Sequence, residues 1–202
     1  MKKTAVVFTI LLGLHINAQT IDLQLLKAIN QTDHKGWDKA MEYTSASVYP
    51  AMVIAPGTLL ITGLATKDKG MVRNGIKTVI ALGTTIIITT GLKYAAARQR
   101  PYNAYPYDII KRASESSYSF PSGHTSAAFS LATSVTLSTK KWYAAVPCYA
   151  YSALVGYSRM RLGVHYPSDV LAGALLGVGS SLLVWKIDKW INRRKTKTVI
   201  SP

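Results

Sequence analysis

Five stretches without a charged residue follow one another along the chain, at 43–66, 78–92, 116–139, 142–158 and 170–185. Such stretches read as apolar helices and the chain as an all-α bundle. A helix needs about 20 residues to cross about 30 Å of hydrocarbon, and several of the five are shorter. They are therefore either helices buried in a soluble bundle or spans whose charged flanks snorkel to the interfaces. The loops decide between the two. With the mature N-terminus outside and one crossing per stretch, the inner segments 67–77, 140–141 and 186–202 carry twelve basic residues against two acids. The outer segments carry ten against seven. The positive-inside rule produces this asymmetry, and a soluble bundle has no reason to.

The expectation is a transmembrane helical bundle. Residues 1–18 have a two-lysine start, an apolar stretch and small or polar residues before Gln19, the pattern of a bacterial signal peptide or an uncleaved signal anchor. Removal leaves five spans and retention six, in a single domain over 19–202. The net charge of +15 raises nucleic acid as a partner. A basic binding protein, however, interleaves cations with aromatics along a stripe, whereas here long apolar segments separate them, so the partner expected is the bilayer. The one cysteine, Cys148, lies in an apolar segment and precludes an intramolecular disulfide.

Smaller features agree with spanning. Gly173 and Gly177 stand four apart in the last stretch, a spacing that lets two helices approach closely. Tyr94, Tyr102, Tyr105, Tyr107 and Tyr118 crowd one outer loop, as an interfacial belt does. Before the first stretch, residues 21–30 read as a short amphipathic helix on the outer surface, with Ile21, Leu25, Ala28 and Ile29 on one face.

On this topology three polar segments meet on the outer side: 93–101 (KYAAARQRP), 121–124 (PSGH) and 158–169 (SRMRLGVHYPSD). Pro121 suits a first helical turn and Ser122 a cap. The free amides of a helix start form an anion site, which Gly123 lets a ligand approach. Lys93 and Arg100 are two helical turns apart and face one point if their helix runs that far.

Lys93-x6-Arg100-Pro101, then Pro121-Ser122-Gly123-His124, then Ser158-Arg159-x5-His165-x3-Asp169 resembles the three-part signature of the type 2 phosphatidic acid phosphatase family, within the acid phosphatase and vanadium haloperoxidase superfamily. The resemblance covers residues 93 to 169 in family order and spacing, and implies a helical membrane phosphatase. Many membrane members have six spans, whereas cleavage here would leave five.

The residues support that chemistry. Lys93, Arg100 and Arg159 supply three cations for a phosphate, the arginines in bidentate fashion. Ser122 and the Gly123 amide can donate to a remaining oxygen. His165 is the expected nucleophile, Asp169 orients its ring and stabilises its cation, and His124 serves as general acid and base. His124, His165 and Asp169 are also metal-ligand types, but three cations around one point repel a divalent metal and attract an oxyanion. Neither metal nor cofactor is expected. Ser122 lacks the G-x-S-x-G elbow of a serine hydrolase. Ser158 is expected to be structural and His34 solvated, while Arg98, Lys111, Arg112 and Arg161 receive no role.

The function expected is hydrolysis of a lipid phosphate or pyrophosphate on the periplasmic face of a bacterial inner membrane. From the resemblance, undecaprenyl pyrophosphate ranks first, with lipid A phosphate, phosphatidylglycerol phosphate and phosphatidic acid as alternatives. A soluble or peripheral periplasmic acid phosphatase and a non-enzymatic lipid-binding membrane protein are the competing readings.

Overall fold

The computed structural model describes residues 20–31 and 35–200, with side chains described through residue 192. The signal segment 1–18 and His34 lie outside the described residues. The elements are α1 (20–30), α2 (Lys35–Ala46), α3 (Val48–Ala65), α4 (Lys69–Ala96), α5 (Pro101–Ala104), α6 (Gly123–Thr139), α7 (Trp142–Arg161) and α8 (Pro167–Ile200). There is no strand among the described residues.

Helix α6 is the hub, packed against α3, α4, α7 and α8. Its sequence, GHTSAAFSLATSVTLST, is rich in small and hydroxylated residues, and more than half of it is buried. Small side chains let neighbours come close, and the hydroxyls are satisfied locally. Ser126 donates to the Ser122 carbonyl at 2.6 Å, Ser130 exchanges a hydrogen bond with Ser181 at 3.0 Å, and Ser152 of α7 donates to the Ala128 carbonyl at 2.9 Å. Gly173 and Gly177 form the close approach that their spacing predicts. A Cβ on Gly173 would stand 2.6 Å from the Ser122 carbonyl oxygen, and one on Gly177 would run into the Ser126 carbonyl.

Three helical segments among the described residues are long and apolar enough to cross a membrane: Val48–Ala65, Lys69–Ala104 and Pro167–Asn192. Their outer surfaces expose Val53, Ile54, Ile61, Ile87, Leu171 and Leu175, an apolar exterior that a bilayer rather than water solvates. Of the five expected spans, α6 and α7 do not meet that standard. Helix α6 has 17 residues, and α7 is diluted by five Tyr and Trp residues along its length. Both pack against neighbouring helices, α6 with most of its small and hydroxylated residues buried and α7 with Ser152, Gly156 and Ser158 buried but Trp142, Tyr143 and Val146 exposed.

Two stretches also differ in their bounds. The 43–66 stretch breaks at Ser47 into α2 and α3. In the 116–139 stretch, helix begins only at Gly123, so Pro121 precedes the helix instead of opening its first turn.

Helix α1 turns Asp22, Leu26 and Asn30 inward and leaves Ile21 and Leu25 exposed. The expected apolar face therefore points away from the protein, and a mostly polar face docks. Leu26 enters a core with Met41, Tyr102, Ile109, Leu162, Val164 and Tyr166.

Candidate active site

A cavity of about 300 Å³ lies at one end of the bundle. Its wall includes Lys93 and Thr89 of α4, Arg100, Glu115 and Ser117 of the following loops, Gly123 and His124 of α6, and His165. Val48, Tyr49 and Met52 of α3 and Ile86 of α4 form its apolar side.

Lys93 and Arg100 reach this cavity by a route other than a shared helix. Helix α4 ends at Ala96, because Ala97 is left-handed (φ 44°), with its amide closing on the Lys93 carbonyl at 2.9 Å. Arg100 precedes Pro101, which disfavours helical backbone at the residue before it, and it is extended (ψ 150°). The chain doubles back and brings both cations to one wall. Lys93 Nζ donates to the Tyr118 carbonyl at 2.5 Å. Arg100 is held by the Ser117 carbonyl at 2.7 Å and the Val164 carbonyl at 2.9 Å, with Nη1 3.3 Å from His165 Nε2.

His165 lies in the α7–α8 loop. Gly163 shapes that loop with φ 75°, and a Cβ there would stand 2.6 Å from the Ile110 carbonyl oxygen. Its Nδ1 is 3.4 Å from Asp169 Oδ2. A carboxylate only accepts, so Nδ1 carries the proton and Nε2 keeps its lone pair beside Arg100. Burial drives the imidazole pKa down to about 3, outweighing the opposite pull of Asp169. The ring is therefore neutral. Asp169 Oδ2 also accepts from the Tyr166 amide at 2.9 Å and from Ser119.

His124 is the second residue of α6, set edge-on to Tyr49 with ring centroids 5.0 Å apart. With Gly123 it puts the positive end of the α6 dipole in the cavity wall. Ser122, expected to cap α6 and to donate to phosphate, makes no side-chain cap hydrogen bond. Its hydroxyl exchanges a hydrogen bond with Thr125 at 2.9 Å, and its amide donates to the Asp169 carbonyl at 3.0 Å, which ties the start of α6 to α8.

Among the described residues the cavity wall includes Lys93, Arg100, Gly123, His124 and His165 but not Ser122, Arg159 or Asp169. Arg159 stands one layer back, bonded to Ser45 and to Glu115, with its buried Nε unpartnered. Glu115 itself lines the cavity and was not anticipated. Burial pushes its carboxyl up, but the charge and hydrogen bond of Arg159 bring it below its ordinary range. A lone acid in a polar loop carries no sequence signal for such a position.

Arg98 was also missed. It bonds Asp169 Oδ1 at 2.6 Å and Asp22 at 2.7 Å. Arg112 and Arg161 both pair with Asp38, at 2.8 and 2.7 Å, and Lys111 covers the Tyr102 ring. Ser158 donates to the Val155 carbonyl at 2.7 Å, a structural bond within its own helix. Among the described residues no three His, Cys, Asp or Glu side chains converge as a metal set would.

The chain is 34% identical over 128 residues to an undecaprenyl-diphosphatase of Sulfolobus acidocaldarius, an alignment spanning 63% of this chain and 62% of that one. The chain thus spans less than two thirds of that relative's length. A transmembrane PAP2-type phosphatidylglycerolphosphate phosphatase from Bacillus subtilis superposes with a TM-score of 0.70 at 26% identity, over 87% of this chain and 88% of that one. Aquifex aeolicus LpxE superposes with a TM-score of 0.67 at 26% identity, over 81% and 94%. The PAP2 superfamily matches residues 74–193, more than half of the chain and all of the polar segments that build the cavity. The chain belongs to the PAP2 superfamily.

Proposed function

We propose that this protein is a membrane phosphatase that hydrolyses lipid phosphate or pyrophosphate headgroups through a phosphohistidine on His165. The observation that carries the reading is the His165 imidazole, with Nδ1 3.4 Å from Asp169 and Nε2 3.3 Å from Arg100, in a cavity that Lys93, Gly123 and His124 also line.

A phosphoryl group seated against Lys93, Arg100 and the start of α6 has its charge offset there, and phosphoryl transfer depends mostly on such positioning and charge stabilisation. His165 Nε2 attacks phosphorus and the bond to the leaving oxygen breaks. His124, which takes up a proton once the phosphate's negative charge is seated beside it, gives that proton to the leaving oxygen, and the lipid product leaves. Neutral His124 then takes a proton from water, the hydroxide attacks phosphorus, the Nε2–P bond breaks and phosphate is released. Asp169 stabilises the His165 cation formed in the first step. Arg159 adds positive charge from behind Glu115.

A lipid substrate is supported by the apolar side of the cavity, where Met52 and Ile86 adjoin the exposed face of α3 and α4. Membrane partitioning then supplies much of the binding, and the protein grips only the headgroup. The names of the relatives support a prenyl diphosphate or a glycerophospholipid phosphate, and undecaprenyl pyrophosphate ranks first. The loop charges support an inner-membrane protein with this cavity toward the periplasm.

The test is turnover by purified protein in mixed micelles of undecaprenyl pyrophosphate, phosphatidylglycerol phosphate, phosphatidic acid, lipid A and a soluble phosphomonoester. The best lipid should exceed the soluble ester in kcat/KM; equal values would sink the lipid claim. His165→Ala should be inactive, and wild type quenched during turnover should carry acid-labile phosphate on histidine. Full activity of His165→Ala would refute the mechanism.

A further inference from the structure

We propose that Arg98 and Asp22 are positioning residues that set the Asp169–His165 dyad, so that helix α1 is a working part of the catalytic centre. This rests on the phosphohistidine reading above and extends it to residues outside the cavity wall.

Asp169 is fully buried, and a buried carboxylate is costly unless paired and fixed by hydrogen bonds. Its two oxygens have different partners. Oδ2 faces His165, the Tyr166 amide and Ser119, whereas Oδ1 accepts from Arg98 Nη1 at 2.6 Å. With both oxygens engaged the carboxylate plane cannot turn, and Oδ2 stays on Nδ1. Arg98 is the permanently charged partner in that set.

Arg98 is itself fixed on three sides. Nη1 also donates to the Ser168 hydroxyl at 2.7 Å, Nη2 donates to Asp22 Oδ2 at 2.7 Å, and the guanidinium lies 3.8 Å from the centre of the Tyr166 ring. Asp22 closes the circuit. Its Oδ1 accepts from the Ser168 amide at 2.8 Å and its Oδ2 from the Ser168 hydroxyl at 2.5 Å. Ser168 is the second residue of α8, so Asp22 fills the capping role at that helix start from another element.

The other end of α1 is fixed as well. Asn30 donates to the Arg161 carbonyl at 2.9 Å and the Ile110 carbonyl at 3.0 Å, and accepts from the Ile110 amide at 2.8 Å. Helix α1 therefore holds residue 161 at one end and residue 168 at the other, with His165 in the segment between. Among the described residues Arg98 is not in the cavity wall, so its influence on a phosphate passes through Asp169 and His165.

Kinetics in detergent on the full chain test this with Arg98→Gln, Arg98→Lys, Asp22→Asn, Asp169→Asn and the double variants, with His165→Ala alongside. Arg98→Gln should lower kcat by roughly 10- to 100-fold, the range for groups that orient a site residue from behind. KM and the Kd for orthovanadate should stay within about twofold, since nothing that touches substrate has changed. Arg98→Lys should recover part of the loss. Asp22→Asn is isosteric and keeps an oxygen for the Ser168 amide, but puts an NH2 donor where Oδ2 accepts from Arg98 and the Ser168 hydroxyl, and should show a smaller loss of kcat than Arg98→Gln. In the Asp169→Asn background neither change should cost more, because the residue they act through is already disabled. Wild-type kcat in Arg98→Gln, or losses as large in the Asp169→Asn background as in wild type, would overturn the proposal while a dead His165→Ala left the mechanism intact. Loss appearing in KM alone would also overturn it. If His165→Ala were active, the mechanism and the proposal would fall together.

Discussion

At His165, burial and a carboxylate act on one imidazole in opposite directions, and burial wins. A nucleophile needs its lone pair, so the outcome suits the proposed attack of His165 on phosphorus without prior loss of a proton. It also has a cost in acid. The folded-state pKa, about 3, lies below the ordinary value of 6.5, so the unfolded chain binds a proton that the folded chain refuses. The stability involved is present above the ordinary value and is lost as pH falls toward the folded one. Between about pH 7 and about pH 5 that loss is about 2 kcal/mol. Thermal melts in detergent should show the wild-type Tm falling over this window more steeply than that of His165→Gln, whose side chain does not titrate. Equal slopes would mean that His165 is not held neutral. Arg98 illustrates what a residue-level reading misses. It stands two positions before Arg100, and nothing in the order of residues separates the arginine that faces the cavity from the one that faces Asp169.

Helix α6 shows how composition and packing trade places at the scale of an element. Its charge-free sequence reads as a span, yet its serines and alanines serve contact with α4, α7 and α8. The decisive contact is with α8, whose Gly173 and Gly177 lie on the α6 backbone. Gly177→Ala would push a methyl into the Ser126 carbonyl, and overpacking of this kind typically costs 1–3 kcal/mol, or about that here. Gly179, two residues on, has open space where its Cβ would be. Gly179→Ala should be neutral or stabilising, since alanine is the better helix former by about 1 kcal/mol. Melts of the two variants in the same detergent distinguish a specific helix contact from a general effect of glycine; equal Tm values would refute the contact.

Across the whole molecule, charge sorts with helix ends. Arg73 near the start of α4 pairs with Asp188 of α8 at 2.7 Å, with Lys77 3.7 Å from the same carboxylate. Lys67 and Lys69 line a separate apolar hollow with Leu64, Val72 and Ile76. Lys93 of the same long helix lines the other cavity instead, 24 residues after Lys69 and thus about 36 Å along the helix axis at about 1.5 Å per residue. That is sufficient to cross the hydrocarbon core. With the cavity toward the periplasm, as proposed from the loop charges, a periplasm-active reporter fused after Lys111 should work, and the same reporter after Lys69 should not. The reverse pattern would put the cavity on the cytoplasmic side.

The sequence by itself determined the helical class, the close-packing glycines and the three segments that build the cavity, because each rests on a local constraint. Long charge-free runs favour helices packed against protein or lipid, glycine admits close backbones, and proline limits the residue before it. Only the tertiary structure decided which polar side chains face the cavity. Ser122 turns to Thr125, Arg159 retires behind Glu115, and Arg100 arrives from a turn instead of a shared helix. The same holds for α1, whose apolar face was legible and whose docking face was not. A polar side chain points to whatever partner satisfies it, and those partners lie tens of residues away, from Asp22 to Ser168 and from Arg98 to Asp169. Spacing along the chain carries no record of such pairs until the helices that hold them have packed.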